Sequence, residues 1–154
     1  MKRIICILGI ILLCIGLSAC SDDANGEPSS DVATPDQQET EAPAKPYASL
    51  EEYLEAPEVQ AEINDAIDST GDSMTMAVYV DGDTLVYEYT FTQTYDEEQT
   101  ETLKSKLDAG LEENASTYEE YVSLLKADVD VEDPKIKVVY RNGDGTVITE
   151  RIYE

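Results

Sequence analysis

The stretch from Met74 to Phe91 constrains the fold most. It alternates apolar and polar residues about the dipeptide Asp81-Gly82, the pattern of two strands joined by a two-residue hairpin turn. With Asp81 and Gly82 as the loop, Val80 faces Asp83, Val78 faces Leu85, Met76 faces Tyr87 and Met74 faces Tyr89. The other face then pairs Thr75 with Glu88 and Tyr79 with Thr84. A one-residue slip would mix the faces, so their segregation predicts this register.

Helical signals surround the hairpin. Ser49-Leu50-Glu51-Glu52 reads as a capping box. Leu50, Tyr53 and Leu54, then Val59, Ile63 and Ile67, recur at the spacing of one helical face. Pro57 interrupts them, either as a kink or as the first residue of a second helix, and Ser69-Thr70-Gly71 closes the element. A further helix is predicted over Asp96 to Lys126, with Leu103, Leu107 and Leu111 on one face. Thr117 followed by Glu120 is a second capping box, which places a break near Asn114. Asp128 to Asp133 reads as a polar connector ended by Pro134. Ile136, Val138 and Tyr140 then alternate with polar residues, Asn142-Gly143-Asp144-Gly145 turns the chain, and Val147 to Tyr153 returns with no register specified.

The order helix, hairpin, helix, hairpin predicts an α+β domain, with a four-stranded antiparallel sheet and helices packed on one face. The segments Val78-Tyr79-Val80-Asp81-Gly82-Asp83 and Val139-Tyr140-Arg141-Asn142-Gly143-Asp144 are weakly alike. An internal duplication and a shared turn chemistry both account for the likeness.

Residues 1–20 read MKRIICILGIILLCIGLSAC. Lys2 and Arg3 precede an apolar run from Ile4 to Gly16. That run is short against the ~20 residues of a membrane span and is flanked like a secretory signal. Leu17-Ser18-Ala19-Cys20 resembles the bacterial lipobox. The resemblance implies a signal peptide over 1–19 that is removed, a diacylglyceryl thioether on Cys20, and a protein held on the outer face of the cell membrane. Two acyl chains give stable anchoring where one does not. Cys6 and Cys14 leave with the leader, so no disulfide framework, Cys-ligated metal or free thiol is expected.

Residues 20–46 carry the lipidated Cys and an acidic spacer with Pro28, Pro35, Pro43 and Pro46, in which Val32 is the lone large apolar side chain. Such a segment is expected to be a disordered tether. The single folded domain is expected over 47–154, where all ten tyrosines and the only Phe lie. Without Lys2 and Arg3, eight bases remain against 34 acids, a net −26. An anionic membrane surface repels a body of that charge.

The segments Ser49-Leu50-Glu51-Glu52-Tyr53-Leu54 with Pro57-Glu58-Val59, Leu85-Val86-Tyr87-Glu88-Tyr89-Thr90-Phe91, Asn114-Ala115-Ser116-Thr117 and Gly143-Asp144-Gly145-Thr146 carry a further resemblance. Together they resemble a family of small Gram-positive bacterial lipoproteins sharing a C-terminal domain of unknown function. The resemblance implies the lipid anchor, the domain boundary and a cell-surface location, and it carries no catalytic residue.

Composition excludes several chemistries. The chain has no His, so it holds neither a Ser-His-Asp nor a Cys-His nucleophile system and no imidazole ligand. A net charge of −24 argues against nucleic acid, which is bound by clustered Lys and Arg. Glu51-Glu52, Asp96-Glu97-Glu98, Glu112-Glu113 and Glu119-Glu120 offer paired carboxylates, but none is marked by burial as a general acid. Asp81-Gly82-Asp83, Asp128 to Asp133 and Asn142 to Gly145 offer oxygen ligands without the spacing of a calcium loop. No cofactor is expected.

Bases are scarce, and four gather in the last hairpin: Lys135, Lys137, Arg141 and Arg151. Lys135, Lys137 and Arg141 fall on one strand face. These three read as a solvated face or protected edge; alternatively Lys135, Lys137, Arg141 and Arg151 form a strip contacting an anionic partner such as a wall polymer or an acidic protein. Tyr79 stands on the hairpin face opposite the core. The function expected is a non-enzymatic, membrane-anchored binding or interaction module. The alternatives are a structural or accessory subunit of an envelope assembly and, weakest, a carboxylate-based hydrolase.

Replacing the lipobox cysteine, Cys20→Ser, is expected to abolish incorporation of a palmitate analogue and to release the protein from the membrane fraction. A labelled, membrane-bound variant would overturn the lipobox reading.

Overall fold

A computed structural model describes residues 44–154. The leader, Cys20 and the spacer as far as residue 43 lie outside the described residues. The elements are α1 (Leu50–Glu55), α2 (Pro57–Ser69), β1 (Met74–Asp81), β2 (Thr84–Phe91), α3 (Glu97–Glu113), α4 (Ala115–Asp128), β3 (Lys135–Arg141) and β4 (Val147–Tyr153), with one 3-10 turn at Gly71–Ser73.

Local chemistry accounts for the helix ends. Ser49 Oγ accepts from Glu52 N, and Glu52 Oε2 accepts from Ala48 N, so the first turn of α1 is satisfied on both sides. Pro57 sits at the start of α2, where its missing N–H costs nothing. Asp96 and Gln99 make a reciprocal capping box at α3. The break between α3 and α4 falls at Asn114, as expected from the sequence, with Asn114 Nδ2 donating to the Gly110 carbonyl, and Thr117 lies within α4. Helix α4 runs on to Asp128. Val129 beyond it is fully buried and bridges to Tyr47.

The sheet order is β1-β2-β3-β4, and the sheet is mixed. β1–β2 and β3–β4 are antiparallel hairpins, whereas β2 and β3 run parallel. A wholly antiparallel sheet is therefore corrected. The reason lies in α3. Its Asp108, Leu111 and Glu112 meet Thr149, Tyr153 and Arg151 of β4. Helix α3 thus runs alongside β4 in the same direction and returns the chain to the end where β2 began. A parallel pair needs such a crossover.

The first hairpin also departs from the expected register. Its loop is Gly82-Asp83, and Asp81 pairs with Thr84, Val78 with Tyr87, Met76 with Tyr89 and Met74 with Phe91. Each cross-strand pair is displaced by two residues. Alternation specifies only the face a residue takes, and a two-residue shift preserves every face. Both registers keep Gly82 in the loop, where it holds φ +62°, a left-handed conformation that glycine adopts without strain; the shift moves it from the second loop position to the first. In the second hairpin the left-handed glycine is Gly145 (φ +87°), while the aligned Gly143 is not left-handed. The two similar segments therefore turn differently.

Register places Val80, Leu85, Ile136 and Tyr153 in one cross-strand row, Val78, Tyr87, Val138 and Arg151 in the next, and Met76, Tyr89, Tyr140 and Thr149 in a third. This face meets the helices. Leu50, Leu111, Tyr118, Val122, Leu125 and Val129 pack with its apolar members into the main core. Ala56, Val59 and Ile63 form a second cluster, joined to the first through Tyr53, Leu54 and Val78. Tyr118 stacks on Tyr153 with ring centroids 4.5 Å apart, and Tyr89 on Tyr140 at 5.1 Å.

Asn142 latches two loops. Its Oδ1 accepts from Tyr95 N at 2.8 Å, and its Nδ2 donates to Tyr95 O at 2.9 Å. Gly143 beside it has no room for a side chain, since a Cβ would lie 2.7 Å from the Gln93 carbonyl carbon. The Asn-Gly pair thus ties the start of α3 to the end of β3 as well as turning the chain. Asn142→Ala removes the partner of the Tyr95 amide and leaves the Tyr95 carbonyl only the 3.5 Å bond from Thr100 Oγ1, and is expected to destabilise by roughly 1–3 kcal/mol in denaturant unfolding. A loss under about 0.5 kcal/mol would show the latch to be dispensable.

Candidate functional site

Strand alternation gives the sheet a second face, on which no helix among the described residues packs. Its rows are Asp81, Thr84 and Lys135; Tyr79, Val86, Lys137 and Ile152; Ala77, Glu88, Val139 and Glu150; and Thr75, Thr90 and Arg141. Tyr79 (41% exposed) and Ile152 (51%) stand in solvent, while Val86 and Val139 between them are buried to 2%. Among the described residues no helix packs on these two valines, and the long side chains of Tyr79, Lys137, Glu88 and Glu150 share their rows.

The structure brings Lys135, Lys137 and Arg141 together on this face and sends Arg151 to the other. Arg151 shares a row with Val138 and pairs with Glu112 of α3. Lys137 Nζ lies 2.9 Å from Glu150 Oε2, and Arg141 Nε lies 3.0 Å from Glu88 Oε2. Tyr79 Oη donates to the same Glu88 oxygen at 3.1 Å, and Arg141 Nη1 donates to the Gly145 carbonyl at 3.0 Å. Lys135 Nζ donates to Glu154 Oε1 at 2.6 Å, which holds its ammonium above the ordinary lysine value. Partial desolvation, then the bond to Glu88, raises the Tyr79 phenol, against the opposing charges of Arg141 and Lys137.

Lys135, Lys137 and Arg141 thus meet Asp81, Glu88 and Glu150 in equal number on one face. This is a locally neutral surface on a domain that, over 47–154, carries seven bases against 27 acids. Glu88 is the residue that sequence reasoning missed. Its position on a polar strand face is visible, but its partner Arg141 comes from a strand that pairs in parallel, and no local pattern announces that neighbour.

Elsewhere, the carboxylates are spent on structure. Glu52 and Asp96 cap helices. Asp108 accepts from Lys104 and Thr149, and those bonds hold its carboxyl below the usual range. Asp144 Oδ1 accepts from the Thr146 amide and hydroxyl within its own turn. Among the described residues no three acidic or cysteine side chains converge to hold a metal ion. Glu62 alone among the described carboxyls is raised, by burial and then by Glu58. Its charge reaches Tyr53, Tyr87 and Tyr121. These tyrosines, with Leu85, Leu124, Leu125, Asp128 and Ile136, line a cavity with room for about one water molecule. Tyr121 Oη is buried there without a partner among the described residues.

Four strands, four helices on one side and a neutral face on the other define a small two-layer α+β domain. The chain belongs to the family described as Domain of unknown function (DUF4854), which matches residues 50–153. No curated protein and no solved structure matches the chain.

The tyrosine core carries a pH dependence. Burial pushes Tyr53, Tyr121 and Tyr140 from the ordinary value of 10.0 up to about 12. Above pH 10 the unfolded chain ionises these phenols while the fold keeps them neutral, so proton release favours unfolding. The stability they contribute is complete below pH 10 and falls as pH rises to about 12. Alkaline titration is expected to show tyrosinate absorbance appearing late and together with loss of circular dichroism. Ionisation of all ten tyrosines near their ordinary value in an intact fold would contradict this.

Proposed function

We propose that this protein is a non-enzymatic binding module, exported and held on the outer face of the cell membrane through Cys20, and that it recognises an anionic envelope polymer on its uncovered sheet face. The observation that carries the reading is the placement of Lys135, Lys137 and Arg141 on one solvent-facing surface beside the exposed Tyr79 and Ile152. The leader and the lipobox-like Leu-Ser-Ala-Cys support the location.

The ion pairs on the face do not prevent such binding. Lys137–Glu150 and Arg141–Glu88 are half-buried pairs that keep an edge in solvent. A polyanion that offers these cations several phosphate or carboxylate groups in register competes with Glu150 and Glu88 for them. Tyr79 and Ile152 supply apolar and ring contact beside the charges. The surrounding acids repel a polyanion everywhere else, which confines contact to this one surface.

The full chain is to be titrated with a polyglycerol phosphate of defined length. Joint reversal of Lys135, Lys137 and Arg141 to Glu is expected to weaken binding at least about tenfold, with the fold checked by circular dichroism. Arg151→Glu, on the other face, serves as the control and is expected to retain binding. Equal binding by the triple variant sinks the proposal.

A further inference from the structure

β1 is an end strand of the sheet. The bond from Thr92 N to Ser73 O, at 3.0 Å, sets its alternation. Ser73, Thr75, Ala77, Tyr79 and Asp81 turn their backbone groups to β2, so Met74, Met76, Val78 and Val80 turn theirs outward. The Met74 carbonyl accepts from Thr70 Oγ1 at 3.3 Å. The outward N–H and C=O groups of Met76, Val78 and Val80 have no protein partner among the described residues.

The two edges of the sheet are built differently. β4 carries Glu150 and Arg151 in mid-strand, and its pairing with β3 is interrupted by a bulge at Tyr140 and Arg141. Charges and bulges both blunt an edge against a further strand. β1 is eight residues long, unbulged, without Pro, and uncharged from Met74 to Val80.

The geometry points to a second copy of this chain as the occupant of that edge, with two β1 strands paired antiparallel about a twofold axis through Ala77. In this register Met76 lies opposite the partner's Val78 and Met74 opposite the partner's Val80. Thr75 lies opposite the partner's Tyr79, and Ala77 opposite its own copy. Outward-facing backbone groups meet one another, as an antiparallel pair requires. Both helix layers fall on one side of the joined sheet and both open faces on the other. Within the pair every helix-side contact is apolar and no charged residue opposes another. Acids gather only at the ends, where Asp72 of one copy approaches Asp81 and Asp83 of the other. Salt therefore strengthens the association, because it screens those ends and the acidic bodies behind them. The inference rests on backbone pairing and stands whether or not the open face binds a polyanion.

The test uses the full chain in detergent, by sedimentation at several protein concentrations and by amide deuterium exchange. A dimer is expected that tightens about tenfold between ~0.05 and ~0.5 M salt. Exchange at Met76, Val78 and Val80 is expected to slow as concentration rises. Ala77 lies where paired strands bring Cα atoms to about 4.5 Å, so Ala77→Lys and Ala77→Glu each oppose a like charge and are expected to weaken the dimer at least about tenfold. Mixing the two variants is expected to restore it, a readout that misfolding of either cannot produce. A chain that stays monomeric at every concentration and salt, or an Ala77→Lys variant that dimerises like the parent, overturns the inference. So does protection of β1 that follows an added extended peptide and not protein concentration.

Discussion

Two hairpins become one sheet only along the parallel pairing of β2 with β3, and the rest of the structure depends on that line. It joins Leu85 to Ile136 and Tyr87 to Val138; Leu85, Ile136 and Val138 are buried in the main core, and Tyr87 packs against it. The pairing exists because α3 returns the chain alongside β4 before α4 leads into β3. Through the same pairing Arg141 comes within reach of Glu88, so the open face and the core share one cause. Without it β1–β2 would be an isolated hairpin, which is marginal in water.

Much of the local structure was legible in the sequence, and the long-range part was not. Ser49, Pro57, Gly71 and Asn114 mark helix boundaries through capping and φ preference, chemistry confined to a few neighbours. The faces of Met74 to Phe91 followed from alternation. The pairing partners did not, because a two-residue shift leaves alternation unchanged and keeps Gly82 in the loop in either register. The direction of β3 relative to β2 depends on where a 17-residue helix lies, and periodicity within α3 cannot report that. The shared face of Lys135, Lys137 and Arg141 was readable from spacing. The departure of Arg151 from that face required the register of the last hairpin.

Charge and aromatic content divide the labour of stability. The acids crowd the helices, where Glu52 and Asp96 satisfy first-turn amides and others stay solvated. Bases are concentrated on β3, where they balance Asp81, Glu88 and Glu150. Tyrosine, rather than Trp or Phe, supplies the bulk of the aromatic core. Stacking of Tyr118 on Tyr153 fills the space between α4 and β4, and Tyr153 Oη donates to the Leu111 carbonyl at 2.9 Å, so a polar phenol is accommodated in an apolar layer. Tyr121, whose hydroxyl finds no partner among the described residues, shows the limit of that arrangement.

The attachment at Tyr47 has a mechanical meaning. Tyr47 N donates to Asp128 O, and Asp130 N donates to Tyr47 O. Lys45 Nζ adds a bond to the Val129 carbonyl. These bonds join the amino-terminal end of the described chain to the far end of α4, next to the connector that feeds β3. A tension entering from residue 44 is therefore borne first by a clasp of three hydrogen bonds. While the clasp holds, the load passes into the end of α4 and bypasses α1, and force reaches α1 only after the clasp yields. The clasp acts as a mechanical fuse between the amino-terminal end of the described chain and α1.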